Sequence, residues 1–336
     1  MQAKRTSPDR REIAEACARL LRTQIFDVAR TAKGRRRSYR VQLADRTVIA
    51  THRESVDRGR LEAFALGELH RFGAPVPAVV AFGEGWLIQE DLGEWRLSNT
   101  LAQTDAVERR QWLDRGLAAL GAVHEAARRA ELGDKVPALG QTAPWRAGLI
   151  AMPGRIAERM GEPLPALDAD ALDRALTVAG REFVKWDARP GNAIVKADHA
   201  VGWIDWEHCG ARRALDDLAW FLGDEYVDIS AEDEAALLAT HLPAFAPNVP
   251  AADARRYLAT FGTFHSAVRL ALILHHKADG AWWDLTMCLA DDKVGVLKDC
   301  ALAVAGRGAR WAEMGGGATA PLAPWFGRVR DRLAAL

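Results

Sequence analysis

The stretch Phe183-Val-Lys-Trp-Asp-Ala-Arg-Pro-Gly-Asn192, followed by Gly202-Trp-Ile-Asp-Trp-Glu207, decides the reading of this chain. Asp187 and Asn192 stand five residues apart, and Asp205 follows inside a short apolar run. Phosphoryl transfer uses such a set: one carboxylate faces the attacking hydroxyl, while an Asn and a second Asp hold magnesium against nucleotide phosphates. The reaction rewards positioning and charge neutralisation more than covalent help from the protein. Asp187 therefore reads as the base. Asn192 and Asp205 read as oxygen ligands for a hard cation, Mg2+. Ala193–Val195 and Val201–Ile204 predict two short strands joined by a turn at Lys196–His199, which brings Asn192 and Asp205 together at one end. Without those strands, the same Asp, Pro, Gly and Asn residues fit an ordinary surface turn.

These residues resemble the aminoglycoside phosphotransferase and choline kinase group, small-molecule kinases of protein-kinase-like fold. Its signature is H-G-D-x-x-x-x-N, then a hydrophobic segment ending in D-W-E. Asp187, Asn192, Asp205, Trp206 and Glu207 match it. Asp217-Leu-Ala219 resembles the group's D-L-A, whose Asp braces the catalytic loop, and Leu120–His124 resembles its L-x-x-L-H. Pro75–Pro77 and Leu87–Gly93 resemble its turn and hinge. The likeness runs over about residues 25 to 225 and is specific over 183–220. It implies ATP as phosphoryl donor, with the adenine edge bound through the hinge at Glu90, Asp91 and Leu92.

Two positions depart from the pattern. Lys185 and Trp186 replace the His and Gly before the catalytic Asp. The third strand, Arg46–Arg53, places His52 where the group has a phosphate-gripping Lys, and Arg53 points to the opposite face of that strand. Glu62 occupies the position of that Lys's Glu partner; without the Lys it reads as an exposed helix residue. Arg189 and Lys185 flank Asp187, and Arg189 is the candidate cation for the transferred phosphoryl group. The turn at 33–37, Lys-Gly-Arg-Arg-Arg, is either a solvated basic turn or a source of phosphate-binding charge, and Ser38 resembles the group's phosphate-contacting Ser.

Composition agrees with this class. The chain has 336 residues, 49% of them hydrophobic and 27% charged, enough for two lobes around a large core. A net charge of zero gives no overall field for nucleic acid or a membrane surface. The four cysteines, Cys17, Cys209, Cys288 and Cys300, have neither metal-site nor disulfide-framework spacing. The sequence shows no apolar signal core and no run of about 18 apolar residues, so a cytoplasmic location is expected.

The predicted architecture is α+β and two-lobed. A small β-rich nucleotide-binding lobe covers 1–92, and a larger, mainly helical lobe covers 93–336, with the catalytic loop at 183–207 and a substrate cleft. Helical periodicity marks 10–22, 57–72, 106–129, 167–179, 215–221, 231–241, 251–276, 282–305 and 325–336, with a connector at 314–321. Arg269 reads either as an anion-binding group or as half of a structural ion pair. The expected activity is Mg-dependent transfer of the ATP γ-phosphate to a hydroxyl of a small metabolite. The alternative is a degenerate, nucleotide-binding or regulatory module without turnover. The sequence does not name the acceptor, the oligomeric state, or the choice between ATP and GTP.

Overall fold

The structure, a computed structural model, describes residues 8–31, 38–290 and 292–336. The basic turn at 33–37 lies outside the described residues. The chain begins with helix α1 (Arg10–Leu21), started by a capping box in which Asp9 accepts from Glu12 N and Glu12 returns the bond. Strands β1 (Asp27–Arg30), β2 (Ser38–Gln42) and β3 (Thr47–His52), helix α2 (Val56–Arg71), and strands β4 (Val79–Gly83) and β5 (Trp86–Glu90) follow. The five strands form one antiparallel sheet in the order β1-β2-β3-β5-β4.

Period-two alternation gives the sheet two different faces. Tyr39, Val41, Val48, Ala50, Trp86 and Ile88 form one apolar layer, covered by Ile13, Ala16 and Cys17 of α1. The other face carries Ser38, Arg40, Ile49, Thr51 and Gln89, and these line the interlobe cleft. The inner face of α2 (Ala65, Leu66, Leu69) joins the larger core of the second lobe.

That lobe contains α3 (Leu97–Gln103), α4 (Ala106–Arg129), the single-turn α5 (Leu132–Lys135), α6 (Ala143–Ile150), α7 (Met152–Met160) and α8 (Ala169–Leu176). Residues 182–212 supply β6 (Glu182–Val184), β7 (Ala193–Val195), β8 (Val201–Trp203) and β9 (Gly210–Arg212). The remainder is α9 (Ala214–Leu222), α10 (Ala231–Phe245), α11 (Ala251–Lys277), α12 (Leu285–Ala290), α13 (Lys298–Gly315) and α14 (Leu322–Ala335). Leu113, Leu117, Leu120 and Val123 bury one stripe of α4, each worth about 1.5–3 kcal/mol over exposure. α11 is long and apolar enough to cross a membrane by length and composition, but 83% of its apolar window is buried inside the fold, which is how a core helix behaves.

The expected helix over 282–305 is two helices. Between α12 and α13 the chain crosses the site in an extended segment: Gly295 N–H donates to Glu225 and the Tyr226 hydroxyl donates to the Lys293 carbonyl. The expected connector at 314–321 is shorter than the sequence suggests, because α13 runs to Gly315 and a 3-10 turn at Gly317–Thr319 leads into α14. α3, α6 and α7 were not expected from periodicity.

Candidate active site

β7 and β8 pair antiparallel, with Ala193 opposite Trp203. The Ile204 amide donates to the Asn192 carbonyl at 2.9 Å, so the hairpin holds Asn192 beside Asp205 as its spacing implied. Asn192 donates its amide nitrogen to Asp187 Oδ2 at 2.7 Å and to the Asp187 carbonyl at 3.0 Å. That fixes the amide orientation and turns its oxygen toward other partners. Arg189 Nε donates to Asp187 Oδ1 at 3.0 Å, so both carboxylate oxygens of Asp187 are held.

The loop carrying Asp187 hangs on Asp217. Its two oxygens accept the backbone N–H groups of Lys185 (2.6 Å) and Trp186 (2.8 Å), and His124 Nε2 stands 3.2 Å away. Trp186 (φ 63°) and Asp205 (φ 62°) take the left-handed conformation, at a cost of order 1–3 kcal/mol each that the surrounding bonds must hold.

Lys185 is fully buried. Its ammonium donates to the Asp187 carbonyl (3.0 Å) and the Asp205 carbonyl (2.7 Å), 5.4 Å from the Trp206 ring centre. It does not face the cleft as a phosphate-binding cation, as its place beside Asp187 suggested. Burial lowers its pKa, against the attraction of Asp187, Asp205 and Asp217. Asp187 has the opposite balance. Burial pushes its carboxyl up, but Arg189, Lys185, Arg269 and the Asn192 bond outweigh it and hold it below the ordinary value.

Two residues at the end of the third strand reach the cleft wall, His52 and, just beyond the strand, Arg53. His52 is opposite Trp86 in the register and packs edge-on against that indole, ring centres 5.0 Å apart, on the strand face of Val48 and Ala50. Arg53 projects the other way. Its guanidinium meets Glu62 (Nε–Oε2 2.7 Å, Nη2–Oε1 2.8 Å), Glu207 (2.9 Å) and Asp205 (3.4 Å). Glu62 is 1% exposed, not a surface residue, and also accepts from Trp206 N at 3.2 Å. Burial lifts the Glu62 carboxyl above its ordinary value, while Arg53 pulls it back. The Arg53 pKa is raised because its three carboxylates overcome the cost of burial.

These groups line a cleft of about 580 Å3 between the lobes. Ser38 bonds the Thr51 hydroxyl at 3.0 Å on its upper wall. Glu90, Asp91 and Leu92 line it where β5 leaves the sheet. Glu90 Oε2 accepts from Ala78 N (3.2 Å). Asp91 is tied down by Arg40 (2.5 and 3.2 Å), Thr47 (2.9 Å) and Gly93 N (3.0 Å). Arg269 is half of a buried pair with Glu225 (2.8 and 2.6 Å), which settles the two readings in favour of a structural role.

Asp292, unremarked in the sequence, enters the site from the segment between α12 and α13. Its carboxylate lies 3.2 Å from Arg189 Nη2 and 3.3 Å from Arg96 Nη1, and Arg96 also donates to the Gly191 carbonyl. A Cβ at Gly191 would collide with that carboxylate, so glycine is needed there. No local signal marks Asp292, because its partners Arg189 and Arg96 lie 103 and 196 residues earlier in the chain.

The donors available for a cation are oxygens. The Asp205 side chain is 41% exposed and lines the cleft with Asn192, a pair of oxygen donors that fits a hard divalent ion. Among the described residues no cluster of three His, Cys, Asp or Glu forms a protein-only metal cage.

No family model matches the chain, and no curated protein matches it. Solved structures do. An amicoumacin kinase in complex with AMP-PNP, Ca2+ and Ami superposes with a TM-score of 0.59 at 13% identity, covering 97% of this chain and 94% of that one. A spectinomycin phosphotransferase in complex with ADP and spectinomycin gives 0.54 at 11% identity, covering 82% and 88%. A putative aminoglycoside phosphotransferase from Ralstonia eutropha JMP134 gives 0.52 at 14% identity, covering 93% of each. The chain thus shares a two-lobed, protein-kinase-like α+β fold with these phosphotransferases.

Proposed function

We propose that the protein is a small-molecule kinase that transfers the ATP γ-phosphate to a hydroxyl. The observation that carries this reading is the meeting of Asn192, Asp205 and the Arg53–Glu62 pair at one interlobe cleft, with Asp187 directly behind it, bonded to Asn192 and Arg189 of its wall. Structures that share the fold hold AMP-PNP with Ca2+, and ADP, which supports a nucleotide in that cleft.

Asn192 and Asp205 would hold Mg2+. When bound, it neutralises the charge on the nucleotide phosphates. Arg53 takes the part of the missing Lys: Glu62 anchors it, and Asp205 and Glu207 hold its guanidinium at the wall of the cleft. Glu90 to Leu92 border the adenine end. Asp187 accepts the hydrogen bond of the acceptor hydroxyl and takes its proton. Its depressed pKa makes it a carboxylate at neutral pH that orients the hydroxyl and receives the proton late, as a loose transition state allows. Arg189 stands beside the base where charge develops.

The test is ADP formation from ATP and Mg2+ across a panel of hydroxylated metabolites, with Asp187→Asn as control. Acceptor-dependent turnover that falls about 100-fold or more in Asp187→Asn supports the reading. Tight Mg-ATP binding with no turnover on any acceptor points instead to the non-catalytic module.

A further inference from the structure

Gln89 stands on β5 one residue before Glu90, opposite Ile49 of β3 in the sheet register. It is 8% exposed and lines the interlobe cleft. Its side-chain oxygen is enclosed and has no hydrogen-bond partner among the described residues. An unbonded amide oxygen in such a place is costly, and folds seldom keep one without a reason. The other polar side chains on this face of the sheet are engaged. Ser38 and Thr51 bond each other at 3.0 Å, and Arg40 is held by Asp91 and Glu94.

The surroundings of Gln89 suit a flat ring. Ile49 from the sheet, Leu92 from the segment after β5, and Ile194 and Ile204 from the β7–β8 hairpin region all border this cleft. Apolar side chains therefore reach it from both lobes, and one or two polar groups among apolar walls are what fixes a ligand's orientation. A carboxamide has an acceptor on one arm and a donor on the other. A half-turn about its last bond exchanges the two, and no bond to the oxygen opposes that turn. The edge of a purine asks for one or the other: a 6-amino group needs an acceptor, and a 6-oxo group needs a donor.

We propose that Gln89 reads the 6-position of the purine base and that its carboxamide serves 6-amino and 6-oxo purine nucleotides alike. The phosphoryl donor is then an adenine or a guanine nucleotide, with little preference between them. This rests on the kinase reading above and deepens it at the base end of the same cleft. An aliphatic side chain at position 89 would fill the space and read neither substituent.

The experiment measures equilibrium binding of three Mg2+-nucleotide complexes to the wild type and to Gln89→Met, without an acceptor. The nucleotides are ATP, inosine triphosphate and purine riboside triphosphate, whose bases carry a 6-amino group, a 6-oxo group and neither. The wild type should bind the first two within about 10-fold of each other and the third about 3-fold or more weaker than either, the loss of one hydrogen bond. In Gln89→Met the deficit of the bare purine should disappear. A wild type that separates ATP from inosine triphosphate by more than about 10-fold overturns the proposal. So does a wild type with no deficit for the bare purine, or a deficit that survives in Gln89→Met. Each of these leaves nucleotide binding, and with it the kinase reading, in place. A folded wild type that binds none of the three overturns both. Should Gln89→Met fail to fold, Gln89→Leu is judged by the same comparison.

Discussion

Arg53 and Glu62 are joined by two parallel hydrogen bonds, Nε to Oε2 at 2.7 Å and Nη2 to Oε1 at 2.8 Å, across the junction of β3 and α2. This pair ties the sheet to the helix and holds a guanidinium against Asp205 and Glu207. An Arg is a fair substitute for a Lys as a charge, but its planar fork is geometrically less forgiving.

Removing one partner leaves the other uncompensated. Arg53→Met is expected to destabilise the fold by about 3–5 kcal/mol, because Glu62 is buried. Arg53→Met with Glu62→Met should recover most of that stability without recovering nucleotide affinity. Urea melts and nucleotide titrations of the three variants check both halves.

Asp187→Asn keeps the bond from Arg189 and removes the proton acceptor. Turnover should fall by about 100-fold or more while nucleotide affinity changes little. Steady-state kinetics beside equilibrium binding separates the two effects, and a parallel loss of both would assign Asp187 to nucleotide binding instead.

Lys185→Met leaves the Asp187 carbonyl with its bond from Asn192 but takes the ammonium away from the Asp205 carbonyl. A buried carbonyl so stripped costs about 1–3 kcal/mol. The melting temperature should fall, and the Mg2+ concentration needed for half-maximal activity should rise, because the loop carrying Asp205 is no longer tied to the loop carrying Asp187. A fall in stability with unchanged Mg2+ dependence would confine Lys185 to the fold.

His265 sits against Trp220 and Phe261, fully enclosed, and burial with Arg269 nearby lowers its pKa to about 3. The unfolded chain, with an ordinary His value near 6.5, binds the extra proton first. The contribution of His265 to stability is therefore complete above pH of about 6.5 and is lost as pH falls toward about 3. His265→Gln should flatten that part of the acid limb in chemical denaturation measured across this range. An unchanged slope would show that His265 does not carry it.

Much of this site was legible because its chemistry is local. The Asp187–Asn192 spacing, the hairpin and Asp205 fall within a short stretch, and period-two alternation correctly put Arg53 and His52 on opposite faces of β3. Which of the two stands at the cation position was hard to read because the alignment falls on a strand end, where one residue reverses the face. Glu62 then looked orphaned because its partner was misplaced. Asp292 was invisible for a different reason. Its role depends on a chain crossing between α12 and α13, and the apolar spacing of 282–305 hides that crossing as one helix. Arg96, at the start of α3, has the same character: its partners are Gly191 and Asp292, far along the chain.

The most direct measurement is thermal melting with AMP-PNP, with and without Mg2+, on the wild type and Asp205→Ala. A ligand that binds only the folded state must raise the melting temperature. The account predicts a Mg2+-dependent rise in the wild type that disappears in a folded Asp205→Ala. No rise in well-folded wild type at saturating nucleotide, or a rise that Asp205→Ala retains in full, would contradict it.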